Sequence, residues 1–423
     1  MASQIYDAIR DIMVREFGDF GEAVLKNQCK KMGISPSSIG PENVPALSRV
    51  LLNAVSVMVS REKAQQLYRE FMGLRNVKKV VREEKDVKKR AKMLFEMAEG
   101  AKIVGNYREA LKYYSKILEM GDESLAEKCV LEIADTYRMV GEWEKAMEEY
   151  KKIIRNYDIE SDPHAMCMAY RGIGYINWRL GNNEKARDYY DKAIKIAEKY
   201  NLMEDRGYIL IDIGNLYNEV EEYEKARKYY LDGLNIMKTL GNNQEIARVY
   251  NNLGESYKSS GDWEKAIDYF KKQIKLAEKL NYKKWKAWAL FTAGECYARM
   301  GFLDRALEYC RKAEEILKEI EDDIGLAAIY RNYGIIYSMM KKWSIAEEYF
   351  KKSLSLYKKL KIAYYDAYAR IEAGIMYIKW GKAAKGKEML ESALKIARET
   401  GAQRLIKAAN KALKSIEDLE TSK

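Results

Sequence analysis

From residue 91 to residue 398, apolar side chains recur at three- and four-residue spacing, the period of one helical face. The helical runs are separated by a short polar phrase, clearest at Gly261-Asp262-Trp263-Glu264-Lys265-Ala266. Relatives of the phrase end at Ala146, Ala186 and Ala226, weaker copies at Ala110, Ala306 and Ala346, and a degenerate one at Gly386. The first step between these closing positions is 36 residues and every later step is 40. A fixed period of this size marks a solenoid, whose units cannot bury their apolar stripes alone and must stack. The pattern predicts eight hairpins, each a helix A, a tight turn and a helix B.

The fifth unit shows the logic. Helix A is predicted over about residues 245–259, with Ala247, Tyr250, Leu253, Gly254 and Tyr257 inward. Gly261 ends it, because glycine takes the left-handed conformation at little cost. Asp262 then caps helix B, predicted over residues 263–279 with Ala266, Phe270, Ile274 and Ala277 inward. Twelve residues before each closing position stands Ala98, Ala134, Gly174, Gly214, Gly254, Gly294, Gly334 or Gly374. These small residues predict close crossings of A on B. Tyrosines nine residues before the closing position (Tyr137, Tyr217, Tyr257, Tyr297, Tyr337, Tyr377) and aromatics four after it (Tyr114, Tyr150, Tyr190, Tyr230, Phe270, Phe350) are expected to fill the wedge between hairpins.

This pattern resembles the tetratricopeptide repeat, on the small-residue pair and the aromatics just named. The resemblance covers residues 91–398, with two departures: the period is 40 residues, not the commoner 34, and the proline that often closes the repeat is missing, Pro163 being the only proline there. The long variant is similar to the repeats of kinesin light chains, of cell-polarity adaptors and of bacterial peptide-sensing regulators, in which a helical block precedes the solenoid. The resemblance implies an all-α, right-handed α-solenoid of about eight hairpins whose helices A line a concave groove.

Residues 1–74 do not follow the period. Four short amphipathic helices are predicted there, around Ile5 to Phe17, Phe20 to Met32, Leu47 to Met58 and Ala64 to Phe71, as a small bundle. Gly18 and Gly33 are expected to stop the first two. Leu25 to Ile39 imitates the start of a helix-turn-helix, but Gly40-Pro41 breaks what would be the reading helix. Residues 75–90 form a charged helical connector, with Arg75, Lys78, Lys79, Arg82, Lys85, Lys88, Lys89 and Arg90 against three acids. Residues 399–423 give one more amphipathic helix, from Ala402 to Ile416, as a cap, then a tail.

Composition changes this picture little. Four prolines in 423 residues suit an almost wholly helical chain, and seven glutamines amid abundant Lys and Glu lean toward a thermophilic source. The net charge of +11 is small beside 75 basic and 64 acidic residues. Five cysteines without paired spacing indicate neither disulfides nor a metal site, and suit a cytoplasmic location. No signal peptide or membrane span is expected. Enzyme chemistry finds no support: His164 is the single histidine, and acid–base or zinc chemistry needs partners for it. Gly381-Lys382-Ala383-Ala384-Lys385-Gly386-Lys387 has P-loop spacing, but Glu388 stands where a hydroxyl should hold magnesium, and the stretch is the turn of the eighth repeat. No cofactor, metal or catalytic residue is therefore assigned.

The candidate site is the outward stripe of the helices A, which the resemblance turns toward the groove. It carries Arg171, Tyr175, Trp178 and Arg179 in the third hairpin, Asn215 and Asn218 in the fourth, and Asn251, Glu255 and Lys258 in the fifth. Phe291, Glu295 and Arg299 follow in the sixth, Arg331 and Asn332 in the seventh. Asn offers donor and acceptor to a peptide backbone, the aromatics offer apolar sockets, and Arg can clamp carboxylates. Trp285 and Trp288 read as packing residues. The expectation is a non-catalytic scaffold holding a protein segment in the groove, with a second protein partner for the N-terminal bundle. The alternative is a sensor regulator whose bundle and basic connector contact nucleic acid, although the mixed charge of the groove argues against a nucleic-acid channel.

Overall fold

The computed structural model describes residues 2–56, 58–74, 77, 81, 86–121 and 123–421. Every regular element among them is helical. The first is α1 (Ala2–Lys31), interrupted at Gly18 by a backbone of φ 58° and ψ −145°, so the two expected helices meet at a kink. Two short 3-10 turns at Pro36–Ser38 and Pro41–Asn43 occupy the place of a DNA-reading helix. Helices α2 (Val44–Val55) and α3 (Arg61–Gly73) complete the N-terminal segment. Of the expected connector, Arg75, Lys78, Lys79, Arg82 and Lys85 lie outside the described residues.

The hairpins follow in order. Hairpin 1 is α4 (Val87–Ile103) with α5 (Tyr107–Glu119), and hairpin 2 is α6 (Glu123–Val140) with α7 (Trp143–Asn156). Hairpin 3 is α8 (Pro163–Arg179) with α9 (Asn183–Lys199), and hairpin 4 is α10 (Met203–Glu219) with α11 (Tyr223–Leu240). Hairpin 5 is α12 (Asn243–Ser259) with α13 (Trp263–Lys279), and hairpin 6 is α14 (Lys283–Arg299) with α15 (Leu303–Glu319). Hairpin 7 is α16 (Asp323–Met339) with α17 (Trp343–Lys359), and hairpin 8 is α18 (Ala363–Lys379) with α19 (Ala383–Glu399). The last helix, α20 (Gln403–Thr421), buries Leu405 and Ala409 against Leu390, Ala393 and Ala397 of α19. The chain divides into two compact units, Met1–Val249 and Tyr250–Lys423, each an α-solenoid of stacked helix pairs.

Local chemistry sets the helix ends. Gly261 takes φ 83° after α12, and Asp262 accepts a hydrogen bond from the Lys265 amide at 3.1 Å. The same turn is left-handed at Gly141, Gly181, Gly301 and Gly381, but also at Glu221 (φ 63°) and Lys341 (φ 59°), where no glycine is present.

The small residues twelve before the closing position make the expected contact. A Cβ on Gly254 would lie 2.5 Å from the Phe270 ring, and one on Gly214 would lie 2.6 Å from Tyr230. Tyr190, Tyr230, Phe270 and Phe350 thus rest on Gly174, Gly214, Gly254 and Gly334 of their own hairpins, whereas hairpins 1 and 2 have alanine there. Tyr150 instead reaches the next hairpin, where a Cβ on Gly172 of α8 would meet its ring at 2.2 Å. Tyr114, Tyr150, Tyr190, Tyr230, Phe270 and Phe350 are all buried, each contributing about 1.5–3 kcal/mol to the stack. The earlier tyrosines act differently. Half-buried Tyr217, Tyr257 and Tyr337 stack on Tyr229, Tyr269 and Tyr349 of their own hairpins, with interplanar angles of 5°, 12° and 8°. The lysine of the repeated phrase lies on this stack, Lys225 being 5.5 Å from the Tyr217 centroid and Lys265 5.4 Å from that of Tyr257. That contact gives the recurring lysine of the phrase a partner in the hairpin.

The N-terminal helices share one apolar core with hairpin 1. Leu67, Tyr68 and Phe71 of α3 and Ala91, Leu94 and Ala98 of α4 belong to it, and the Tyr68 hydroxyl donates to the Met97 carbonyl at 3.1 Å.

Candidate functional site

Each helix A presents residues 11 and 8 before its closing position on one face, three apart and so adjacent. In the first unit that face is charged and internally bonded. Lys102 of α4 lies 3.0 Å from Glu99 and also bonds Glu132 of α6. Arg138 bonds Asp135 at 3.0 Å and stands 4.9 Å over the Tyr175 ring of α8. Tyr175 packs edge-on to Trp178 at 5.4 Å. Arg171 donates from Nε to Asp212 of α10 at 2.6 Å, and its guanidinium lies 4.9 Å over Tyr208. Asp135, Arg138, Arg171, Tyr175 and Asp212 line one small recess.

Burial sets the electrostatics here, and neighbours decide its sign. Burial works to raise the Asp135 pKa, but the Arg138 charge and the Tyr150 hydroxyl outweigh it and hold the carboxyl below its usual value. For Glu132, burial prevails over Lys102 and the pKa rises. Burial opposes the charge on Arg138, yet Asp135 and Tyr150 hold its pKa above the ordinary value.

The second unit repeats the arrangement with other residues. Lys258 lies 2.7 Å from Glu255 and 3.3 Å from Glu295 of α14, which also takes Arg331 of α16 at 3.3 Å. The Arg331 guanidinium is 4.4 Å over Tyr368 and 6.0 Å over Phe291. Burial raises the Glu255 pKa despite Lys258.

Within the first unit, Arg171 and Tyr175 share the recess, with Trp178 half-buried beside it and Arg179 exposed at 5.7 Å from the Trp178 ring. Asn215 accepts from the Tyr230 hydroxyl at 2.8 Å, while the side-chain oxygen of Asn218 is buried without a partner among the described residues. Within the second, Glu255, Glu295, Phe291 and Arg331 form one cluster, and Asn251 is half-buried. Asn332 departs from the expectation: it is 2% exposed and its amide donates to Cys310 of the preceding hairpin, on α15, at 3.8 Å. One position past Arg331, it has rotated off the outward stripe into the seam between hairpins 6 and 7. Arg171 and Arg331 are not free clamps either, since Asp212 and Glu295 already hold them. Trp285 and Trp288 are half-buried against Tyr282 and Phe291.

Sequence reasoning missed Glu99, Lys102, Glu132, Asp135 and Arg138. The signal was present, because Asp135 and Arg138 hold the same register in hairpin 2 as Tyr175 and Trp178 in hairpin 3. The nucleotide decoy is resolved by packing: a Cβ on Gly386 would lie 2.9 Å from the Gly374 carbonyl, so Gly386 serves the helix crossing. His164 pairs with Asp205 at 2.7 Å. All five thiols are buried, which pushes Cys167, Cys296 and Cys310 up to about 12. Among the described residues there is no metal-type group of three His, Cys, Asp or Glu, and no helix long and apolar enough to cross a membrane.

No curated protein sequence matches the chain. Solved structures do. A Rap protein complexed with competence and sporulation factor superposes with a TM-score of 0.54 at 17% identity, over 86% of this chain and 100% of that one. Aspartyl phosphate phosphatase F from Bacillus subtilis gives 0.53 at 17% identity, over 86% and 94%. The tetratricopeptide repeat sensor protein PH0952 from Pyrococcus horikoshii, a signal transduction ATPase with numerous domains, gives 0.57 at 18% identity, over 83% of this chain and 55% of that one. At such identities the likeness is one of fold. The sequence itself matches the tetratricopeptide repeat over residues 127–199, 164–239, 205–279 and 285–359. With that match running over more than half of its length, on hairpins packed glycine to ring as described, the chain belongs to the tetratricopeptide repeat family.

Proposed function

We propose that the chain is a non-catalytic interaction scaffold that holds a segment of another protein along its helix-A face. The observation that carries this reading is the combination at hairpins 2 to 4. A recess bounded by Arg138, Arg171 and Tyr175 has half-buried Trp178 and exposed Arg179 beside it, and Asn218 carries a buried oxygen without a partner among the described residues. An unsatisfied buried polar atom costs roughly 1–3 kcal/mol, which a polypeptide N–H would relieve. Asn251, Glu255, Glu295 and Arg331 give the second unit a comparable polar face. The Rap protein solved in complex with competence and sporulation factor and the tetratricopeptide repeat sensor PH0952 share this fold, which supports a binding role. The single imidazole is engaged by Asp205 and the thiols are buried, which suits a binding role in the reducing cytoplasm. In this reading residues 1–74 form a bundle that docks a second protein, residues 75–90 connect it, 91–398 bind, and 399–423 cap.

The test is a pull-down from cells of the source organism, read by mass spectrometry, with wild type against Trp178→Ala/Arg179→Ala/Asn218→Ala. Arg171 and Asn215 are unsuitable for it, because removing them strands Asp212 or Tyr230 and confuses binding with stability. Partners lost in the variant at unchanged melting temperature support the reading; an unchanged partner set removes these residues from the site.

A further inference from the structure

A second cavity, of about 450 Å³, lies at the opposite end of the first unit from hairpin 4, where α2 walls the helix-A face of hairpins 1 and 2. That volume is in the range of sites taking a few side chains or a small ligand. Its lining mixes both signs, so the charges must be assigned one by one. Glu96 is bonded by Arg49. Glu99 is held by Lys102 at 3.0 Å and accepts from the Tyr114 hydroxyl, and Glu132 is bonded by the same Lys102. All three carboxylates of the cavity are thus engaged by neighbours. Three ammonium groups remain, Lys88 and Lys92 on α4 and Lys128 on α6, all exposed and with no carboxylate partner among the described residues. Lys128 stands 4.6 Å over the ring of Phe95, itself fixed edge-on to Tyr114 at 5.6 Å. Leu125 completes a small apolar wall.

We propose that this cavity docks a short acidic segment of a partner protein, with carboxylates on Lys88, Lys92 and Lys128 and an adjacent apolar side chain against Phe95 and Leu125. The proposal rests on the scaffold reading above and names the partner chemistry for a separate part of the same helix face. Three cations without a carboxylate partner among the described residues, beside an aromatic wall, complement such a segment in charge and in polarity. A nucleic acid fits less well. Its phosphates recur along a strand and would run past Glu96, Glu99 and Glu132, whereas a peptide presents its carboxylates where its sequence puts them. The cations sit on exposed lysines, so the contact is steered and salt-sensitive.

The test is selection of a random dodecapeptide phage library on the full-length chain, followed by fluorescence anisotropy of the winning synthetic peptide. Enriched sequences are expected to carry Asp or Glu beside Leu, Phe or Tyr. Affinity is expected to fall by about tenfold or more in Lys88→Ala/Lys92→Ala/Lys128→Ala, to survive in the corresponding triple Arg variant, and to weaken as salt rises. It is expected to be unchanged in Trp178→Ala/Arg179→Ala/Asn218→Ala. Selection of no binder, of basic or uncharged peptides, or of peptides indifferent to the triple Ala variant overturns the proposal. So does a 20-nucleotide single strand that competes at the same lysines with higher affinity. Loss of native partners only in the Trp178 variant leaves the scaffold reading standing while this one falls.

Discussion

Tyr150 donates its hydroxyl to Asp135 at 2.5 Å within hairpin 2, whereas Tyr190, its counterpart in hairpin 3, has Tyr175 at the corresponding position and a buried hydroxyl without a partner among the described residues. The rule holds elsewhere in the first unit: Tyr114 donates to Glu99, and Tyr230 to Asn215. A tyrosine four past the closing position is matched by an acceptor fifteen residues earlier, except at Tyr190. Substitution to phenylalanine should therefore have opposite signs at the two sites. Tyr150→Phe removes a bond to a buried carboxylate and should cost about 1.5–3 kcal/mol, while Tyr190→Phe should be neutral or stabilise by up to about 1 kcal/mol. Urea midpoints of the two variants decide it; equal destabilisation would mean that Tyr190 has a bonding role.

The glycines of the A–B crossing should not be equally sensitive. A Cβ on Gly254 meets the rigid Phe270 ring at 2.5 Å, but one on Gly294 meets the Cys310 sulfur at 3.3 Å. Gly254→Ala should cost about 1–3 kcal/mol by overpacking, and Phe270→Leu should recover part of that in the double variant. Gly294→Ala should cost less than about 1 kcal/mol, since alanine also gains helix propensity. Thermal melts of the three proteins test the order.

How much of this was legible follows from what a repeat makes visible. The close crossing at Gly254 was legible because both helices belong to one hairpin and the small residue recurs in register, whereas Phe270, expected in the wedge between hairpins, lies on that glycine. The outward register of Arg171, Tyr175 and Trp178 was legible for the same reason. What remained hidden depends on the rotation of one hairpin against the next. Arg171 meets Asp212, and His164 meets Asp205, across 41 residues, a partner choice that periodicity does not fix. Asn332 misled because it sits one residue, about 100° of helix, from the outward Arg331. Gly172 lies outside the repeated small-residue positions, and it is the flat ground on which the Tyr150 ring lies.

Glu221 should be a site of easy stabilisation. It takes φ 63° in the turn between α10 and α11, the place that Gly141, Gly181 and Gly261 hold in other hairpins. A side chain in this conformation costs about 1 kcal/mol or more, against a smaller loss from the greater unfolded-state freedom of glycine. Glu221→Gly should raise stability by about 0.5–1 kcal/mol. Gly261→Glu should lose a comparable amount, and a urea series comparing the reciprocal pair would expose any other origin of the effect.

The pair His164 and Asp205 should make the first unit sensitive to pH. Their contact is 2.7 Å, with Asp205 buried and the imidazole half-exposed. The hydrogen bond to Asp205 is the largest influence and lifts the His164 pKa above its ordinary value, although burial opposes it. Because the folded value is the higher one, the stabilisation is fully present below the unfolded pKa of about 6.5 and is lost as pH rises through the folded value. The melting temperature of wild type should therefore exceed that of His164→Gln at pH 5.5 and approach it at pH 8.5. Asp205→Asn should remove most of this pH-dependent gap while leaving a pH-independent loss from the disturbed start of α10. A gap that widens with rising pH would reverse the assigned sign and show that the neutral imidazole is the form the fold prefers.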